Sequence, residues 1–195
     1  PPCASPCGTW RRVFASPRGV LDGLFVLETI EAGRAWLAAE RPARAESFRR
    51  EAMELVAAIE MRAARGGALI GGVRELLGEM GRRRIRRAVI TRNCEAAVLL
   101  IVPDLSRLCD AFLPREAVRR VKPHPEHLLE SLARMHADPS RSVMVGDHPM
   151  DIRTGKEAGA RTVGVLTGSA RREELARVGA DFVIPSVADL LPLLG

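Results

Sequence analysis

The sequence predicts an α/β fold: a Rossmann-like open parallel sheet with helices on both faces, plus a small helical cap. Three observations carry this expectation. From about residue 84 to the end, short apolar segments of strand length alternate with segments of helical period, the pattern of parallel strands linked by crossover helices. Those strand segments are largely apolar, as strands covered on both faces are. A stretch from about 28 to 66 breaks the pattern: it is charged, rich in Ala, Glu and Arg, helical by period, and carries no strand signal.

Each element follows in order. Residues 1–17 form an irregular N-terminal segment. "RGVLD" (18–22) is an apolar run meeting a carboxylate, and the core is expected to comprise residues 18–24 and 68–195. Residues 25–67 are the cap insertion, with helices in "ETIEAGRAWLAAE" and "ARAESFRREAMELVAAIEMRAARG". "LIGGVRELLGEMG" (69–81) is the first core helix. "IRRAVIT" (85–91) is a strand, and "NCEAAVLLI" (93–101) a helix with Asn93 placed to cap it. "DAFLP" (110–114) is a strand. "HPEHLLESLARMH" (124–136) is a helix with Pro125 in its first turn. "SVMVGD" (142–147) is a strand, "PMDIRTGKEAGA" (149–160) a helix closed by Gly159, and "RTVGVLTG" (161–168) a strand. Helix, strand and helix follow in 172–180, 181–185 and 186–194.

The 195 residues suit one domain with a modest insertion, and 47% hydrophobic residues suffice for a core. Tyr is absent and aromatic residues are few, so that core is aliphatic. No apolar run is long enough to span a membrane. Net charge is +6, which suits phosphorylated small molecules or nucleic acid. The run "GRRRIRRAV" (81–89) reads as a helix end entering a strand, because no aromatic residues interleave its arginines; no nucleic-acid partner is expected. Cys3, Cys7, Cys94 and Cys109 make no CxxC pair and no zinc pattern, consistent with a reduced, cytoplasmic protein. The first 21 residues hold three arginines and no acid, which leaves an organellar address as the alternative.

Chemistry-bearing residues gather at strand ends, where open α/β sheets place their ligands. Thr91 ends "AVIT"; its hydroxyl and the amides beyond it, past Arg92 and Asn93, suit a phosphate oxygen. Lys122, in "VKPHPE", is a compact cation for phosphate. Asp147 ends "VMVGD" and Asp151 follows four residues on; carboxylates behind a glycine suit a hard divalent ion such as Mg²⁺. Asp22 ends "RGVLD" and is a candidate nucleophile or metal ligand. Taken singly, Thr91 is a β-former, Lys122 a surface cation, and Asp147 and Asp151 helix-start acids. His148 is a loop residue at the mouth, and His124 and His127 begin a helix. Ordered co-occurrence at successive strand ends separates the two readings.

"AVITRN", "VKPHPE" and "MVGDHPMDIRTGKEAGARTVGV", in that order, resemble motifs two, three and four of the haloacid dehalogenase (HAD) superfamily, phosphoglycolate-phosphatase-like branch. The resemblance is strong over about 68–195 and loose over 18–67. It implies a Mg²⁺ ion and phosphate-ester hydrolysis through an aspartyl-phosphate. Thr91, Arg92, Asn93 and Lys122 would bind a small phosphorylated substrate, and Asp22, Thr91 and Lys122 would be catalytic. Asp22 and Asp147, supported by Asp151, would hold the metal. Motif one departs from the family pattern Asp-x-Asp-Gly-Thr. With Asp22-Gly23 matched to its second Asp and Gly, the nucleophile position is Val20 and the Thr position Leu24. Alternatively "GVLDG" is a strand end shortened by about three residues, with Asp22 as the only motif-one carboxylate. This departure opens a second expectation, a HAD-like protein that binds phosphate or a partner without turnover. A cap this short predicts broad substrate range or cover from a partner subunit; the oligomeric state is not readable.

Overall fold

The computed structural model describes residues 25–194. The expected first strand, with Val20, Asp22 and Leu24, lies outside the described residues. The chain forms two compact units divided between Ile59 and Glu60.

The first unit is helical. Helix α1 spans Val26–Glu40 and α2 spans Pro42–Ala64, the latter running across the division. Pro42 opens α2 where a missing N–H costs nothing. Ile30, Ala52 and Val56 form the buried seam, with Phe48 against it. Gly33 lets the helices approach: a Cβ there would lie 3.0 Å from the Phe48 ring.

The second unit holds the sheet. Helix α3 spans Val73–Arg82, starting later than the sequence predicts because Gly71 and Gly72 precede it and Gly72 takes a φ of 82°. Strand β1 (Ala88–Ile90) is followed by α4 (Glu95–Ile101) and α5 (Leu105–Leu108). Strand β2 (Ala111–Leu113) leads to α6 (Glu126–Arg134) and β3 (Val143–Gly146). Helix α7 (Pro149–Glu157), β4 (Arg161–Val165), α8 (Arg172–Arg177) and β5 (Phe182–Ile184) complete the alternation. All three strand pairings are parallel, as predicted: β1 with β2, and β3–β4–β5 with β4 central. The last predicted helix is instead a 3₁₀ helix, Val187–Leu194. Pro192 within it has no N–H to donate to an α-helical ladder. No described helix is long and apolar enough to cross a membrane.

The core is aliphatic. Leu113 on β2, Ile152 on α7 and Leu175 on α8 are fully buried, each contributing about 1.5–3 kcal/mol. Gly155 brings α7 onto the sheet, since a Cβ there would meet Thr162 at 2.5 Å and Met144 at 2.8 Å. Between the half-sheets lies an apolar cavity of about 800 Å³, lined by Leu76, Val89, Leu128, Leu132, Val145 and Leu190 among others. Strands β1 and β3 both line it. Among the described residues each has one edge with no strand beside it.

The arginine run is consumed locally. Arg82 and Arg83 pair with Glu79, Arg86 caps the carbonyls of Met135 and His136, and Arg87 binds Asp110 and the Leu77 carbonyl. It is the helix end entering a strand that the sequence implied.

Asp181 ties β4, β5 and α7 together. One oxygen accepts from Lys156 at 2.8 Å; the other accepts from the Thr162 amide and hydroxyl. Lys156, then the Thr162 donors, pull its carboxyl down from 3.8 to about 2. A carboxyl lowered on folding stabilises the protein above its unfolded value and ceases to do so as pH falls through its folded value. Asp181→Asn is therefore expected to lower stability at neutral pH and to flatten its acid loss between pH 3.8 and about 2. Urea denaturation across that range is the check.

Candidate functional site

Parallel β1 sets Thr91 at its carboxyl end, where the Thr91 amide donates to the Leu113 carbonyl of β2 at 3.1 Å. The loop beyond is tied at each step. The Asn93 amide donates to Thr91 Oγ1 (3.1 Å), the Cys94 amide to Glu60 Oε2 (2.9 Å), and the Glu95 amide to Glu116 Oε2 (3.2 Å). Two expectations are corrected here. Asn93 does not cap α4: it is exposed, and Cys94 occupies the capping position without a side-chain bond. The amides of Asn93, Cys94 and Glu95 are engaged by side-chain oxygens, so they are not a ready phosphate cradle. Thr91 Oγ1 and the Arg92 segment remain as the loop's contribution.

Arg115 anchors this loop from below. It is 7% exposed, and its Nη1 reaches both Glu60 oxygens (2.5 and 2.7 Å) and the Arg92 carbonyl (3.2 Å). Breaking a buried pair of this kind costs about 3–5 kcal/mol, because the remaining charge is stranded. Glu60 and Arg115 are 55 residues apart, and no local sequence signal links them.

Lys122 occupies the centre. Its Nζ lies 2.8 Å from Asp151 Oδ1, with side-chain exposures of 13% and 5%. Its carbonyl accepts from the Arg92 guanidinium. Its amide donates to His127 Nδ1 at 3.2 Å. Asp151 Oδ2 accepts from the His148 amide (3.1 Å), and His148 Nδ1 accepts from the Met150 amide, so His148 is the N-cap of α7 rather than a plain loop residue. Gly146 allows this packing: a Cβ there would sit 2.3 Å from that of Asp151. Asp147, at the end of β3, lies against Gly168, where a Cβ would fall 2.3 Å from Asp147 Oδ2. Among the described residues Asp147 makes no hydrogen bond or ion pair, whereas both Asp151 oxygens are engaged.

The structure thus joins Arg92, Lys122 and Asp151 by direct contact, with Thr91 and Asp147 at the ends of the strands leading into them. Asp22 lies outside the described residues. His127 was read from the sequence only as a helix start. It is fully buried with Leu128, Ser131 and Leu132 on one face of α6, and its place in that apolar stripe was the available signal.

Thr91 and Asp147 directly follow parallel strands and Lys122 lies in the loop after β2, an arrangement of a recognisable class, and a family model agrees: residues 120–190 match the HAD-hydrolase-like family. Over that segment the chain is similar to hydrolases of the haloacid dehalogenase type. Among curated relatives, it is 44% identical over 78 residues to pyrophosphatase PpaX of Anoxybacillus flavithermus, covering 40% of this chain and 36% of that protein. With pyrophosphatase PpaX of Bacillus mycoides it shares 32% identity over 124 residues, covering 63% of this chain and 58% of that protein. The chain therefore spans less than two thirds of the length of these relatives. A phosphonoacetaldehyde-hydrolase-like protein from Oleispira antarctica shares the fold, with a TM-score of 0.68 at 22% identity over 86% of this chain and 74% of that one.

Gly146→Ala is expected to push Asp151 away from Lys122 and to cost about 1–3 kcal/mol through overpacking. The shift of the denaturation midpoint measures it.

Proposed function

We propose that this protein is a Mg²⁺-dependent phosphohydrolase of small phosphorylated compounds, acting through an aspartyl-phosphate. The observation that carries this reading is Lys122, a largely buried residue whose carbonyl accepts from Arg92 after β1 and whose ammonium pairs with Asp151 after β3. Such a site suits phosphoryl transfer, in which positioning and charge stabilisation do most of the work.

In this reading Lys122 Nζ faces the phosphoryl group on one side and Asp151 on the other. Thr91 Oγ1 donates to a phosphate oxygen, and Arg92 and Asn93 line the approach. Asp22 is the nucleophile: its carboxylate oxygen bonds to phosphorus as the bond to the leaving oxygen breaks. Water then cleaves the acyl-phosphate to free Asp22 and phosphate. Val20 offers no oxygen, so Asp22 is the only motif-one carboxylate for this step. In this reading residues 18–24 belong to the core and 25–67 form its cap.

Mg²⁺ takes oxygen ligands and keeps several waters, needing one or two carboxylates besides phosphate. Asp147 fits, because its oxygens are unengaged among the described residues. Asp151 supports it from behind while holding Lys122, and Asp22 completes the set. Bound there, Mg²⁺ would offset charge on the phosphate. Two free, buried cysteines accord with a cytoplasmic setting.

The test is hydrolysis of inorganic pyrophosphate and of p-nitrophenyl phosphate, with and without Mg²⁺. Pyrophosphate comes first because the relatives named above are pyrophosphatases. Metal-dependent turnover is expected, falling by about 10²–10³ in Lys122→Ala and below detection in Asp22→Asn. Asp147→Asn is expected to raise the Mg²⁺ concentration needed for half-maximal rate. A native rate equal to the buffer blank on both substrates overturns the reading.

A further inference from the structure

We infer that His127 is the positioning residue that sets the phosphate-facing groups of β1 and of the Lys122 loop in register. The inference rests on the roles proposed above for Thr91 and Lys122.

His127 is fully buried. Its Nδ1 accepts from the Lys122 amide at 3.2 Å, which requires a lone pair on Nδ1. The proton therefore sits on Nε2, which donates to the Leu113 carbonyl at 3.0 Å. That same carbonyl accepts from the Thr91 amide at 3.1 Å. One rigid ring thus spans two backbone groups: one is the hydrogen-bond partner of Thr91, and the other belongs to Lys122. Residues 122 and 91 come from separate segments, and in the proposed site their side chains must meet on one phosphate. Burial, with the nearby Lys122 and Arg92 charges, keeps the His127 imidazole below its ordinary value and hence neutral, as the geometry requires.

An aliphatic residue of similar size would fill the same place in the apolar stripe of α6, so packing alone does not call for histidine. Removing the ring leaves the Lys122 amide without its partner and the Leu113 carbonyl with the Thr91 amide alone. The loss through Lys122 is expected to be roughly tenfold, in line with a single mispaired buried hydrogen bond.

The test compares native protein, His127→Leu, His127→Asn, Lys122→Ala and the double variant His127→Leu/Lys122→Ala. The readouts are dissociation constants for inorganic phosphate, kcat and KM on pyrophosphate, melting temperature, and amide hydrogen exchange at residue 122. His127→Leu should weaken phosphate binding and kcat/KM by roughly tenfold. His127→Asn, which keeps an acceptor near Nδ1, should recover most of that loss. In the Lys122→Ala background, His127→Leu should add nothing further. Independent, multiplying effects of the two substitutions overturn the inference, as does a fall in melting temperature with phosphate affinity unchanged. A native chain that neither binds phosphate nor turns over substrate overturns the functional reading instead. Exchange at the Lys122 amide then decides the positioning: equal rates in native and His127→Leu protein overturn it.

Discussion

The contact between Lys122 and Asp151 is the constraint to which the rest of the site conforms. Two opposite charges, both largely withdrawn from water, must stay together, since separating them would strand a charge in a low-dielectric setting. The surrounding backbone enforces the pairing. The Lys122 amide, carbonyl and ammonium each have a different partner: His127, Arg92 and Asp151. Asp151 is fixed in turn by the His148 amide and by the absence of a side chain at Gly146. A long, flexible side chain thereby loses its freedom before any ligand arrives, and little ordering entropy is left to oppose binding.

The loop after Thr91 is held by a different physical device. Carboxylates stand at its amides, Glu60 at Cys94 and Glu116 at Glu95, and Arg115 grips Glu60 and the Arg92 carbonyl together. Acids at the start of a helix interact favourably with its dipole. Here they also occupy donors that an anionic ligand would otherwise use. In the proposed site an anion would thereby be directed toward Thr91 and Lys122 rather than to the helix start in general.

The alternation of strands and helices was legible because parallel strands covered on both faces carry apolar runs, as "AVI" and "VGV" do, and because Gly159 marks a helix end with a φ of 80°. The positions of Thr91 and Asp147, directly after β1 and β3, were legible for the same reason: the apolar runs mark where each strand ends. What the sequence hid was long-range and polar. Glu60 meets Arg115 across 55 residues, His127 meets Leu113 across 14, and neither pairing leaves a periodic trace. Asn93 misled because its side chain suits a helix start. The local competition was won by Glu60, which already satisfies the Cys94 amide.

Charge explains why a cation belongs in the proposed chemistry. Lys122 is already matched by Asp151, so its ammonium brings little uncompensated charge to a phosphate. Arg92 turns its guanidinium toward the Lys122 carbonyl. Asp147 stands without a cationic partner among the described residues, and the mechanism requires a further carboxylate at Asp22. Bringing a phosphate dianion to those two acids without another positive charge would be strongly unfavourable at a few ångströms' separation. In the proposed chemistry a divalent ion held by Asp147 would remove that repulsion, leaving the Lys122–Asp151 pair to fix geometry. Both Asp151 oxygens are engaged by the protein, whereas Asp147, four residues earlier, makes no such contact among the described residues.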